Sequence, residues 1–469
     1  MIKLKCLGAG QEVGRSGFLI QTDDENILFD YGLKLHPKYL GKADSKKIDS
    51  ERYTEQPLQI KEYLDAVILS HAHLDHSGNI PFLFKKDEPN LFLTEGTLDL
   101  SNILWLDTLK IAKYDKKEPF FQKEQIATAY DSAFYLDLKK TTEISENVKL
   151  TFYDAGHIVG SVISVLEMQG KKIMYTGDFR ASKSILFPGY DRNLPKVDYL
   201  IMESTYGDTS HEAREEKEKK IINSVLESIE KNGKVILAAF AIERTQELIA
   251  LMHKYKIEAP IYVDGMGIKV AKVFLDYPEY FNDYKEFKNA INRIEFISNY
   301  KVRKKVLKSN KAAIIITTAG MLEGGPIIQY IKEFGEDPST KIILTGYQVK
   351  GTNGHRLETT GKLYIDGELF QPKCKVEHVS LSAHPDEKEL LELVDLVKPK
   401  KIITVHGDSD VILEFKKTLE NKGYEVFNPK VGDTIKLLWI DFALNVERKL
   451  KKRKWLIISV LIVTLKIMI

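Results

Sequence analysis

The chain has 469 residues, 43% of them hydrophobic and 29% charged, with two cysteines and a formal net charge of +2. At roughly 100–200 residues per domain there is room for two or three buried cores. Cys6 and Cys374 stand far apart in no metal-binding spacing, which excludes a disulfide framework and points to a reducing, cytoplasmic compartment, as does the lack of a signal peptide after Met1.

The positive sign of the charge belongs to the C-terminus. Residues 448–469 carry seven basic groups and no acid, so the remainder stands at −5. Such a body offers no broad basic field for nucleic acid, and a polyanion would need a local site such as bound cations.

In chain order, short apolar, β-branched runs each end in a residue of metal-ligand type. "NILFDYG" reaches Asp30, and "DAVILSHAH" opens a cluster of His71, His73, Asp75 and His76. "VKLTFYDAGH" reaches His157, "KKIMYTGD" reaches Asp178, and "VDYLIMEST" reaches Glu203. "VEHVSLSAH" and "KKIITVHGD" reach His384 and His406. Runs this apolar predict strands buried on both faces. In layered α/β folds the chemistry sits on the loops at strand ends.

Between Glu203 and His384 the pattern changes. "HEAREEKEKKIINSVLESIEKNG" predicts a helix stopped by glycine, with the charge run 212–220 on its solvated face. "KVILAAF" and "APIYVDG" predict strands around the helix "ERTQELIALMHKY", and "KAAIIITTAGMLEGGPIIQYI" reads strand, glycine-rich loop, helix. This alternation predicts a mainly parallel sheet with helical crossovers. Residues 208–373 are expected to form an α/β domain inserted into a first domain built from 1–207 and 374–440.

Residues 441–469 form a basic and hydrophobic tail. Its last 15 residues, mostly apolar, would span about 22 Å as a helix at ~1.5 Å per residue, short of a ~30 Å hydrocarbon core. Three readings stay open: a membrane anchor with its positive charges on the cytoplasmic side, a strand pairing with another chain in a homo-oligomer, and a dispensable terminus.

The spacing His-x-His-x-Asp-His suits metal chelation. His71 and His73 share one side of an extended segment, while Asp75 and His76 follow on a turn and point elsewhere. One short segment can then serve two adjacent metals. Imidazole and carboxylate ligands suit zinc, and a hydrolytic site keeps a position open for water.

These motifs resemble the metallo-β-lactamase superfamily, and within it the β-CASP ribonucleases. "HAHLDH" is similar to the superfamily signature; "MESTYG", "SLSAH" and "ITVHGD" resemble the three further motifs of the β-CASP branch. "AAFAIERTQEL" and "GYQVKGT" resemble other family segments, and the likeness runs from residue 1 to about 440. It is nearest to the archaeal homologues of the cleavage and polyadenylation specificity factor endonuclease subunit, in a short form without leading KH modules. Glu243 departs from the family, which often holds glycine there.

The resemblance implies an αββα sandwich with an inserted α/β domain, two Zn2+ per chain, and hydrolysis of single-stranded RNA to 5′-phosphate and 3′-hydroxyl ends. It assigns His71, His73 and His157 to one zinc, and Asp75, His76 and His406 to the other, with Asp178 bridging. It makes Asp30 a group that holds a ligand in place, His384 the proton donor to the leaving oxygen, and Glu203 the residue that orients His384. His36, His211, His253, His355 and His378 are expected to be surface or packing histidines. Backbone amides of "AGMLEGGP", 319–326, are candidate phosphate contacts.

Other functions are weighed against this. A small-molecule hydrolase does not call for an insertion that places the last ligand more than 200 residues beyond Asp178. DNA-repair members tend to carry a hydrophobic residue where this chain has His406. Catalytically dead scaffold relatives have lost ligands that are kept here. The family contains both endonucleases and 5′→3′ exonucleases, and both modes remain open from sequence.

Overall fold

The computed structural model describes residues 1–36 and 54–438. Two seven-stranded sheets lie face to face, with helices on both outer faces. The strand Tyr199–Glu203 shows why its sequence is apolar throughout. Tyr199 and Ile201 point into the inter-sheet core beside Phe18, Phe29 and Ile68, while Leu200 and Met202 point outward against Leu393, Val394 and Phe415. The period of two sends alternate side chains into two different cores. On the other side of the sandwich, Leu28, Val67 and Leu91 pack against Trp105 and Phe121, Trp105 lying in the long helix Glu95–Tyr114.

In the first sheet, the strands Asn26–Phe29, Ala66–Ile68 and Asn90–Leu93 run parallel. In the second, Lys171–Tyr175, Tyr199–Glu203 and Lys401–Val405 also run parallel. Six of the expected strands deliver Asp30, the 71–76 cluster, His157, Asp178, Glu203 and His406 at or just past their C-terminal ends. After Lys401–Val405 the chain adds Glu425–Phe427 to the second sheet and Thr434–Leu438 to the first, so its returning part completes both.

A third sheet has six strands, all parallel, in the order Glu295–Phe296, Ile261–Asp264, Ala313–Thr317, Lys234–Ala238, Lys341–Leu344, Lys375–His378. Its last strand lies just beyond residue 373. One side of this sheet shares a core with the sandwich, where Ala72, Leu104, Ile158 and Phe187 meet Leu237, Leu248 and Phe274. The charged helix spans Arg214–Glu230, and most of the run 212–220 is exposed. Glu218 departs from the expected solvated face: it is 3% exposed and holds Lys254 at 2.6 Å, because the helix turns this position toward its neighbour.

The tail expected over 441–469, with its membrane and oligomer readings, lies outside the described residues. Among the described residues no helix is long and apolar enough to cross a membrane.

Candidate metal centre

The opening cluster is shaped by a change of backbone. The strand Ala66–Ile68 continues extended to His73, which then starts the single helical turn Leu74–Ser77. Extended backbone puts His71 and His73 on one side; the turn carries Asp75 and His76 away from it. Gly32 lies so close under this turn that a Cβ would sit 1.8 Å from the Asp75 carbonyl oxygen, so a side chain is excluded. The helix Glu95–Tyr114 fixes the site from behind. Trp105 Nε1 donates to the Ser77 carbonyl at 2.9 Å, and Thr94 and Thr97 donate to the Gly160 carbonyl, beside His157.

Two groups of donors result. His71 Nε2 and His157 Nε2 lie 3.2 and 3.0 Å from His73 Nδ1, and both face Asp178 Oδ2, at 3.6 and 3.9 Å. On the other side, His76 Nε2 lies 3.3 Å from Asp178 Oδ1, and His406 places Nε2 3.1 Å from Asp75 Oδ2 and Nδ1 3.4 Å from Asp178 Oδ1. Nitrogens bound to one tetrahedral zinc at about 2.0–2.1 Å sit about 3.3 Å apart, so these spacings fit a cation between them. Asp178 offers one oxygen to each group, and its buried Oδ1 has no hydrogen-bond partner. A buried carboxylate oxygen with imidazole nitrogens at 3.3 and 3.4 Å but no well-formed hydrogen bond fits a cation between them.

Protonation suits this role in the first group, while at His76 and His406 burial is outweighed by the surrounding carboxylates, which raise those two imidazoles above the ordinary histidine value. Burial depresses His71 and His157 well below the ordinary histidine value and His73 to about 4, so each offers a lone pair at neutral pH. Asp178 is buried, which works against ionisation, but the imidazoles of His406 and His76 hold it well below the carboxylate range. The far nitrogens are tied down: His71 Nδ1 contacts Ser70 Oγ at 3.0 Å, and His157 Nδ1 contacts the Ala383 carbonyl at 3.1 Å. His76 Nδ1 contacts Asp30 at 2.7 Å. Asp30, wholly buried, also accepts from Ser70 N, Ser70 Oγ and Tyr175 Oη, each at 2.7 Å. Its contact is with the far nitrogen of His76, whose other nitrogen faces Asp178.

Glu203 and His384 stand beside the two groups. Glu203 accepts from Phe179 N at 3.0 Å, Thr205 Oγ1 at 2.8 Å and His384 Nδ1 at 2.8 Å. Three of its roughly four lone-pair sites are thereby taken, and it lies close enough to Asp178 and His406 to share a metal with them. His384 Nδ1 is 4.0 Å from Asp178, and its side chain is 22% exposed, which leaves Nε2 as the nitrogen able to offer a proton outward. Burial works to lower its pKa, but Glu203 and then Asp178 outweigh burial and lift it to about 9.

Of the five histidines read as surface or packing, His36, His253 and His378 pair with Glu55, Glu286 and Glu358 away from this cluster. His211 is different. Its Nε2 lies 3.2 Å from the His384 carbonyl and its ring packs on Tyr206. Ser70, Tyr175, Thr205 and His211 are thus site residues that the strand-end pattern did not single out. Ser70, Tyr175 and Thr205 sit inside the quoted strand-end runs and His211 opens the charged helical run, but none has a local feature that marks it as a site residue.

A sandwich with its donors gathered at one edge, completed by a returning segment and overlaid by a parallel third sheet, defines a metal-binding hydrolase. Comparison with known proteins makes this specific. The model of the metallo-beta-lactamase superfamily matches residues 11–239, that of the Beta-Casp domain 245–357, and that of the Zn-dependent metallo-hydrolase RNA specificity domain 372–429. A Methanocaldococcus jannaschii protein named "Probable RNase MJ4" is 34% identical over 440 residues, covering 92% of this chain and 99% of its own. An "RNase J-like protein" of the same organism is 36% identical, covering 89% and 96%. "Transcription termination factor FttA" of Thermococcus kodakarensis is 33% identical, covering 93% and 71%. The fold is also seen in a solved structure of a protein of unknown function from Enterococcus faecalis, with a TM-score of 0.57 at 14% identity, covering 92% of this chain and 99% of that one. The chain belongs to the β-CASP ribonuclease family of the metallo-β-lactamase superfamily, a family of metal-dependent hydrolases.

Proposed function

We propose that this chain hydrolyses phosphodiester bonds of single-stranded RNA with two zinc ions. The observation that carries this reading is Asp178, whose two oxygens face two separate donor groups. His71, His73 and His157 would hold one ion, Asp75, His76 and His406 the other, and Asp178 both. When bound, such a pair supplies an activated water and neutralises charge on the phosphoryl group. The chain's own part is positional: Asp30 aims His76, Ser70 aims His71, and the Ala383 carbonyl aims His157. His384, oriented by Glu203, donates a proton from Nε2 to the leaving 3′-oxygen.

The same proposal divides the chain at 207/208 and 373/374. Five of the six strands of the third sheet fall between those points, and the last follows directly. The loop 319–326 would take RNA phosphates. Its carbonyls are held by Gln348, Asn353 and Gly354, which leaves it braced against the segment that follows the strand Lys341–Leu344.

Protein purified without chelator is expected to carry close to two equivalents of zinc by elemental analysis and to cleave RNA faster than matched DNA at several salt concentrations. Activity that persists in EDTA with no metal present, or faster cleavage of the DNA, would sink the reading. RNAs labelled at either end, with 5′-triphosphate, 5′-phosphate or 5′-hydroxyl termini, separate internal cutting from 5′→3′ trimming by fragment pattern.

A further inference from the structure

Glu243 is in an unusual position. It precedes the helix Arg244–Lys254 with φ 73° and ψ −59°, and the Arg244 amide reaches back to the Ile242 carbonyl at 3.0 Å. This is a γ-turn of the rare hand, which glycine adopts freely and a glutamate does not. The residue is also only 3% exposed. A strained backbone and a buried carboxylate persist together only when the surroundings hold them.

What holds them is a buried ion network. Glu243 Oε1 takes Arg180 Nη2 at 2.6 Å, and Oε2 takes Arg244 Nη2 at 3.2 Å. Glu247 pairs with Arg244 and Arg214. Three guanidinium groups thus meet the carboxylates of Glu243 and Glu247, with Glu218 3.9 Å from Arg214 Nε at the edge of the network. Two of the three then converge on one neutral acceptor: Arg180 Nη1 and Arg214 Nη1 donate to the Ser382 carbonyl, at 3.3 and 3.0 Å.

That carbonyl is the first of three. Ser382, Ala383 and His384 follow one another in the loop that carries His384. Ala383 O is held by His157 Nδ1, and His384 O by His211 Nε2 and Ser382 Oγ. The loop has no strand or helix of its own at these residues. Its position therefore depends on what its carbonyls bond. Removing Glu243 takes away the carboxylate paired with Arg180 and leaves that buried guanidinium beside Arg214 and Arg244 with less to hold it against the Ser382 carbonyl.

We propose that Glu243 is a positioning residue for His384: by holding Arg180 against the Ser382 carbonyl, it fixes the loop from which His384 offers its proton. The assignment rests on the reading of His384 as proton donor. Arg180 lies two residues after Asp178, so the same pair also ties the metal-binding edge of the sandwich to the start of the helix Arg244–Lys254.

The test is a double-mutant cycle on RNA cleavage with Glu243→Gly and His384→Ala, with zinc content measured on every sample. Glycine suits the backbone here, so the variant is expected to fold and keep its zinc. Its kcat is expected to fall on the order of 10- to 100-fold, the scale of a misplaced reacting group, with KM changed by less than about twofold. In the His384→Ala background the same change should cost no more than about threefold, because the group it positions is gone. An undiminished kcat in Glu243→Gly, or equal losses in both backgrounds, overturns the proposal while leaving His384's own role intact. Full activity in His384→Ala overturns the donor assignment first. Should the glycine variant not fold, Glu243→Asn serves, since asparagine also tolerates positive φ. Failure of both to fold makes Glu243 purely structural and overturns the proposal.

Discussion

The metal-binding edge and the His384 loop lie side by side, yet they are built by different means. Every donor of the first, His71 and His157 among them, projects from a strand end or the turn just after it, and the backbone there is fixed by two sheets and the helix Glu95–Tyr114. His384 lies six residues past the strand Lys375–His378 and three before the helix Glu387–Val397, in a loop fixed by side chains that bond its carbonyls. Metals need several donors at set distances, which sheet edges supply. A proton donor needs one nitrogen correctly aimed, and a braced loop suffices. Holding metal and giving a proton should therefore fail separately.

The largest effect is expected at the shared carboxylate. Asp178→Asn should lose metal and fall to background cleavage, read by elemental analysis and RNA turnover together, because the negative charge between the two groups is lost and one group faces an amide nitrogen in place of an oxygen. His384→Ala should keep metal and slow cleavage by about 10²–10⁴-fold, the scale of a lost general acid. Asp30→Asn should weaken metal affinity by about 10–100-fold in a chelator competition, since it only aims His76.

Glu203→Gln is expected to cost less in rate and to show mainly in the pH profile. A proton donor works while protonated, so kcat should fall as pH rises through its pKa. Glu203 is the largest contributor lifting His384 to about 9. Removing that negative charge lowers the pKa, and the alkaline limb should move to lower pH; bound cations lower it in both proteins. A limb that stays in place would assign it to another group. The smallest effect is expected from deleting residues 448–469, which should leave cleavage unchanged because every proposed ligand precedes residue 410.

The difference between the two regions also governs what the sequence disclosed. Strand ends announce themselves: an apolar β-branched run followed by a histidine or carboxylate is a local pattern, and it marked Asp30, His157, Asp178 and His406 alike. The parallel third sheet was legible from its alternation. The bracing of the His384 loop was not, because it comes from partners far away in the chain. His211 lies 173 residues from His384, and Arg180 202 from Ser382. A histidine after "DTS" has no local feature that separates it from a surface histidine. Glu243 stood out only as a departure from glycine, and the φ of 73° supplies the physical meaning of that departure.

The most direct measurement of the separation between the two regions is zinc content and single-turnover RNA cleavage on the same sample of His384→Ala. Two equivalents of zinc with cleavage slowed by about 10²–10⁴-fold is the expected result. Loss of a zinc would make His384 a ligand, and full-rate cleavage with both zincs would show that the proton comes from elsewhere; either result contradicts the division of labour drawn here.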